Sequence, residues 1–195
     1  PYRRQRQMCI RDSILPIGVA GVASLPFIYK YVLSEYQQKR IQVFFNPNLD
    51  PRGRGYNVIQ SKIAVGSGQL WGKGYLQGTQ NQMGYLPTKY TDFIFSVISE
   101  EFGFIGALLV TAVLFFIIYK CFKTAQKADN AFGRYICVGV AAMMLFHAFE
   151  NIGMCIGLMP VTGIPLPFVS YGGTSLVVNM IAIGLVLSCL LYTSD

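Results

Sequence analysis

Charge is scarce in this sequence. Only 13% of its 195 residues are Asp, Glu, Lys or Arg, about half the share usual in a soluble domain. Acidic side chains number nine and histidine one. The five cysteines, at positions 9, 121, 137, 155 and 189, have no CxxC spacing and no paired framework. A disulfide-stapled secreted module is thereby excluded, and the thiols read as small buried hydrophobes. What replaces charge is apolar: 53% of the residues are hydrophobic, gathered in long blocks. That excludes a disordered chain and a typical cytosolic enzyme. It points to an all-α polytopic membrane protein whose solvent is partly lipid.

The remaining charge is unbalanced, at +7 from 16 basic and 9 acidic side chains. A basic balance can serve nucleic acid, an anionic membrane or an anionic substrate. With this much lipid-facing sequence, membrane lipids and an anionic substrate fit, and nucleic acid does not.

Both ends change character abruptly. Residues 1–13 are polar and basic, and 190–195 break off an apolar run. Both read as sequence foreign to the fold, with a basic membrane anchor as the alternative for Arg3, Arg4, Arg6 and Arg11. Between them four transmembrane helices are expected, at 14–33, 92–119, 135–158 and 174–191. Residues 102–119 are eighteen without a charge, ~27 Å of helix. These segments are apolar all round rather than on one stripe. The short loop 120–134 holds Lys120, Lys123, Lys127 and Arg134 against Asp129, so it is expected in the cytoplasm. The loop 34–91 and a hairpin at 159–173 then fall outside. The long loop is basic too, but long loops translocate largely regardless of charge. Its excess calls for an anionic ligand.

That large extracellular loop has its own punctuation. Ile41, Phe44 and Phe45 suggest a short amphipathic helix at the interface, ended by Asn46-Pro47. Seven glycines follow between positions 53 and 78, permitting positive φ and close backbone approach to a ligand. The run GSGQLWGKG fails as a P-loop: five residues, not four, lie between Gly66 and Gly72, and Gly74 follows Lys73. The dinucleotide fingerprint fails as well, because Trp71 holds its third glycine position. Exposed amides beside Lys73 could still hold a phosphate. A tightly turned surface loop is the alternative.

Asp92 opens the next span. As Thr91-Asp92 it reads equally as a helix start, where a carboxylate favours the positive end of the dipole. The functional reading is a general base at the water–lipid boundary, under a basic loop. Glu100 and Glu101 lie about two turns deeper, where a carboxylate must face protein or water. One should pair with a basic residue and the other line a cavity. In the third span His147, Glu150 and Asn151 share one helix face. Inter-helix hydrogen bonding is the expectation, with cavity lining and metal ligation as alternatives. The stretch GLMPVTGIPLPFVSYGGTS then breaks helix with Pro160, Pro165 and Pro167. It is too apolar for a solvated loop. It reads as re-entrant backbone lining the same chamber as the long loop, with Ser170, Tyr171, Gly172 and Gly173 as substrate-binding candidates. A purely structural turn is the alternative.

The block from Asn151 to Ser175 resembles the signature of the SEDS family (RodA/FtsW/SpoVE). YQQKRIQVFFNPNLDPRGRGY, QSKIAVGSGQLWGKG and LPTKYTDFIFSVISEEFGFIG resemble that family's large extracellular loop and following helix, in the family's order. The elongation-type, RodA-like branch fits better than the division-type branch. The resemblance implies a ten-helix fold of which this chain holds the last four helices, in the bacterial inner membrane. It implies peptidoglycan glycosyltransfer: polymerisation of lipid II with release of undecaprenyl pyrophosphate, beside a class B penicillin-binding protein. It carries the family's essential aspartate to Asp92. The pyrophosphate would need cations, for which Lys73, Arg52, Arg54 and Lys89 are candidates, as is a bound divalent ion. A lipid-linked precursor flippase and a non-catalytic scaffold are the rival functions.

Overall fold

The computed structural model describes residues 34–46, 53–86, 90–128 and 130–191. Everything described is helix, turn or irregular backbone, and none of it is strand. The expected span at 14–33 lies outside the described residues. By internal contacts the chain divides into two units, residues 1–42 and 43–195.

Helix α1 (Glu35–Phe45) is the short helix expected before Asn46-Pro47. Its start is half of a capping box: the Ser34 amide donates to Gln37 Oε1 at 3.2 Å.

In the second unit, three helices are long and apolar enough to cross a membrane: α4 (Ile94–Lys127), α5 (Ala131–Ile156) and α6 (Gly173–Leu191). Two smaller helices precede them, α2 (Arg54–Ser67) and α3 (Thr79–Gln82). The stretch expected as a glycine-rich loop is thus partly helical. The buried face of α2 is Gly55, Val58, Ser61, Ala64 and then Gly68 just past its end. Small residues three and four apart let α2 pack closely on α4 and α5. The expected loop 120–134 is also mostly helix. Helix α4 ends at Lys127 and α5 starts at Ala131, where Asn130 Oδ1 caps α5 by accepting from the Phe132 amide at 3.0 Å.

The three long helices share seams of period 3.5. On α5, Cys137, Ala141, Met144, Ala148, Asn151 and Cys155 are buried. On α4 the stripe is Ala107, Leu114, Ile118, Cys121 and Ala125, and on α6 Asn179, Ala182 and Val186. Lipid supplies no hydrophobic drive between such helices. Close packing of small residues does that work instead. The outward faces, including Leu108, Leu109, Phe115 and Phe116, are exposed and apolar.

Two interruptions shape the site. Helix α5 stops in a Schellman motif: Gly157 is left-handed (φ 76, ψ 27), Leu158 N donates to Gly153 O at 2.7 Å and Gly157 N to Met154 O at 3.1 Å. The chain then runs irregularly to Gly172. Helix α4, expected as one continuous span, is broken at Gly103 (φ 68, ψ −165), a region essentially closed to other residues. The break orphans backbone groups on both sides, and the glycine loop satisfies them. Lys73 N and Gly74 N donate to Glu100 O and Glu101 O, both at 3.0 Å. Phe104 N and Ile105 N donate to Gln69 O and Leu70 O, at 2.8 and 3.3 Å. At Gly72 an added Cβ would strike the Glu101 carbonyl. The close approach that the glycines allow is to the chain's own helix.

Candidate active site

The turn 90–93 enters α4, and the hairpin holds it by its backbone. Tyr90 O accepts from Tyr171 N at 2.9 Å. Thr91 O accepts from Ser170 Oγ at 2.6 Å. Asp92 O accepts from Asn151 Nδ2 at 2.9 Å. Three consecutive carbonyls are therefore fixed by three separate donors. Each donor is itself placed. Asn151, fully buried on α5, also donates to Ile164 O at 2.8 Å, so one amide ties the turn to the hairpin. Ser170 Oγ accepts from Leu166 N at 2.8 Å within the hairpin.

Below the turn, Phe93 is buried with Leu166 and Met154 in the apolar cluster that joins α4, α5 and the hairpin. Behind it, Ser61 Oγ donates to Cys155 O at 2.8 Å and lies 2.6 Å from Ser96 Oγ. Ser61 has one proton, so Ser96 is the donor in that pair. This couples α2 to both α4 and α5.

The expected helix start shifts by two residues. Phe93 is the cap position, with no side-chain cap bond, so Thr91 does not cap α4. Asp92 stands in the turn instead, half-buried. Its Oδ2 faces Gly163, 3.7 Å from where a Cβ would sit. On the flank of the same turn is a cavity of about 630 Å³, lined by Tyr90, Ile94, Leu176 and residues 168–173. Ser170, Tyr171, Gly172 and Gly173 are thus brought together on one wall. Asp92 is not itself on that wall; its neighbours Tyr90 and Ile94 are. Phe168 in the wall holds a positive φ of 62, strain of ~1–3 kcal/mol that its surroundings must fix.

The basic candidates are placed otherwise. Lys73 Nζ donates to Thr79 Oγ1 at 2.7 Å and to Glu100 Oε1 at 3.1 Å. The Lys73–Glu100 contact is an ion pair. Glu100 Oε1 also accepts from Gln80 N at 3.0 Å. Glu101 Oε1 accepts from Asn81 Nδ2 at 3.0 Å, so Glu101 is buried in the clasp rather than lining a cavity. Arg52 and Lys89 lie outside the described residues, and Arg54 is described only as the first residue of α2. Within the turn 90–93, Asp92 is the one carboxylate a divalent ion could use. Among the described residues no three His, Cys, Asp or Glu side chains form a metal site.

Sequence reasoning missed Ser61 and Ser96, which carry no motif. It also missed Thr162, beside Gly163, whose buried Oγ1 has no hydrogen-bond partner among the described residues. It placed Asn151 on a hydrogen-bonding face without naming the Asp92 turn as the acceptor.

Residues 9–195 match the model of the FtsW, RodA and SpoVE cell cycle proteins. The chain belongs to that family. Among curated relatives it is 45% identical over 175 residues to peptidoglycan glycosyltransferase MrdB of Escherichia coli K12, covering 88% of this chain and 47% of the relative. It is 46% identical over 157 residues to peptidoglycan glycosyltransferase RodA of Treponema pallidum, covering 80% and 36%. Against the probable peptidoglycan glycosyltransferase FtsW of Trichlorobacter lovleyi it is 41% identical over 170 residues, covering 87% and 44%. A chain of a solved structure described as the structural coordination of polymerization and crosslinking by a peptidoglycan synthase complex superposes with TM-score 0.68 at 31% identity, over 93% of this chain and 49% of that one. A variant of the rod shape determining protein RodA from Thermus thermophilus gives 0.52 at 29%, over 80% and 54%. This family member is a multi-pass membrane protein, and it spans about half the length of the curated relatives it matches.

Proposed function

We infer that the chain carries the catalytic turn of a peptidoglycan glycosyltransferase of the bacterial inner membrane. Its substrate would be lipid II, polymerised into glycan strands for cell elongation. The observation that carries the reading is the Asp92 turn: three backbone carbonyls clamped beside a 630 Å³ cavity. A carboxylate carried on backbone so held is what a general base needs, because misplacement by an ångström is costly. The names of the relatives supply the reaction class.

In the proposed step Asp92 takes the proton of an acceptor sugar hydroxyl as that oxygen attacks C1 of the donor sugar. The C1–O bond to pyrophosphate breaks, and its electron pair leaves with undecaprenyl pyrophosphate. One displacement inverts the anomeric centre. Helix α6 begins at Gly173, on the cavity wall, so its N-terminal amides and positive dipole end suit the leaving phosphate. Arg52, Arg54 and Lys89 are the cations proposed to assist; a divalent ion, where bound, would neutralise diphosphate charge. The docking partner proposed is a class B penicillin-binding protein.

The test is Asp92→Asn in the complete protein, given lipid II in proteoliposomes. A loss of strand synthesis of ~10²-fold or more is expected, the span of general base catalysis. Unchanged synthesis would remove Asp92 from the chemistry. Lipid II translocation without strands would favour a flippase, and normal growth of cells carrying the variant a scaffold.

A further inference from the structure

The glycine loop does more than splice α4; its tip leaves large side chains with nothing over them. Trp71 is 82% exposed and Tyr75 70%, and Leu70 and Leu76 beside them are exposed too. The position of this patch is fixed by the splice. Gln69 and Leu70 accept from the amides of Phe104 and Ile105, the first residues of α4 beyond the break. Tyr75 stands 6.2 Å, ring to ring, from Phe102. The patch is thus continuous with the outward apolar face of α4, which starts at Phe104 and Ile105 and goes on through Leu108 and Leu109.

Depth follows from helix arithmetic. From Gly103 to Lys120 and Lys123 the axis runs ~26 to ~30 Å at 1.5 Å per residue. That matches the hydrocarbon thickness of a bilayer, ~30 Å. With the lysines at one headgroup layer, Gly103 and the loop clasped to it stand at the other. Trp and Tyr are the residues that settle at such a boundary, their ring bodies in apolar surroundings and their polar atoms in water. A loop facing water would have no reason to expose four large apolar side chains in seven residues.

We propose that residues 70–76 form a membrane-interface anchor, with Trp71 and Tyr75 seated among lipid headgroups at the Gly103 end of α4. The loop thereby fixes the depth of the α4 break, and with it the level at which the Asp92 turn meets the bilayer.

Trp71 is the only tryptophan of the 195 residues, so it reports on itself. The chain is reconstituted in phosphatidylcholine vesicles containing lipid brominated at acyl carbons 6,7 or 11,12, on material whose circular dichroism shows its helices. The expected result is stronger quenching by the 6,7-lipid than by the 11,12-lipid, and weak quenching by aqueous iodide. Trp71→Phe with Val113→Trp, ten residues further along α4, should reverse the order of the two lipids. Trp71→Phe with Tyr75→Trp should behave as the parent does. Strong iodide quenching without bromolipid quenching would put the loop in water and overturn the proposal. Silence toward both quenchers would overturn it too, because the tip would then be covered by protein: a second copy, a partner, or further chain.

Discussion

Asn151 Nδ2 lies 2.9 Å from the carbonyl oxygen of Asp92 and 2.8 Å from that of Ile164, so one buried amide from α5 spans the two irregular segments of the site. The contact is to backbone, which places the turn without neutralising the Asp92 carboxylate. It also uses both protons of a group that a smaller or charged side chain could not imitate.

Replacing Asn151 should therefore act on position. Asn151→Ala leaves two carbonyls without their donor in a dry region, costing ~1–3 kcal/mol. In the complete protein we expect kcat for glycan synthesis to fall while KM for lipid II changes little, the pattern of an interaction needed in the transition state. Asn151→Asp, which cannot donate when ionised, should be as damaging. Steady-state kinetics beside a thermal melt in detergent would check both. A variant with parental kcat would mean that the hairpin alone holds the turn.

Lys73 and Glu100 give a second expectation. The carboxylate is 1% exposed and the ammonium 30%. Stripping a buried charge of its partner is costly, but partial solvation of the lysine softens the loss. We expect Lys73→Met to destabilise by ~1–3 kcal/mol, Glu100→Gln by a similar amount, and the double variant by less than the sum. The effect should be on folding of the clasp, read as faster proteolysis within residues 68–82. Parental KM for lipid II in Lys73→Met would confine Lys73 to this structural role. A raised KM at unchanged stability would return it to the substrate.

These two sites show what could be read from sequence and what could not. The Pro160, Pro165 and Pro167 run announces irregular backbone, because proline removes donors and clashes with the preceding turn. Residues 131–156 and 173–191 announce themselves by length and apolarity. A partner for one glutamate was also legible, since a carboxylate at that depth cannot stand alone. Helix α2 was not: its buried face is Gly55, Val58, Ser61 and Ala64, mostly small residues whose spacing no hydrophobic pattern marks. Nor was the break at Gly103. A glycine in a membrane helix is ordinary, and this one is special only because residues 69–74 return to supply its lost hydrogen bonds. Such long-range pairing leaves no local trace. The Asp92 turn lay between. Its acid stood out, but its clamps come from residues 59, 78 and 79 positions away.

The period-3.5 seams predict how the bundle fails. Ala141 is fully buried on α5, in the cluster with Cys121, Met144 and Val186. Ala141→Leu forces methylenes into a packed seam and should cost ~1–3 kcal/mol. Ala142→Leu, one position round on the exposed face, should cost almost nothing. Thermal melts of the two variants side by side measure the difference. Equal stability would argue against the seam.

Gly103 gives the sharpest test of the splice. Its φ of 68 with ψ of −165 excludes other residues, and an added Cβ would also strike Gly72 N and approach Leu70 O. Gly103→Ala must either distort α4 or expel the loop. Backbone strain alone is ~1–3 kcal/mol, and the lost loop contacts come on top. We expect Gly103→Ala to free the amides of Lys73, Gly74, Phe104 and Ile105, seen as their hydrogen exchange rising together. Gly66→Ala, in the last turn of α2 just before the loop and with nothing near the new methyl, should leave those four amides protected. If Gly103→Ala exchanged like the parent, α4 would tolerate a continuous helix there, and the loop would have to find other partners for its carbonyls.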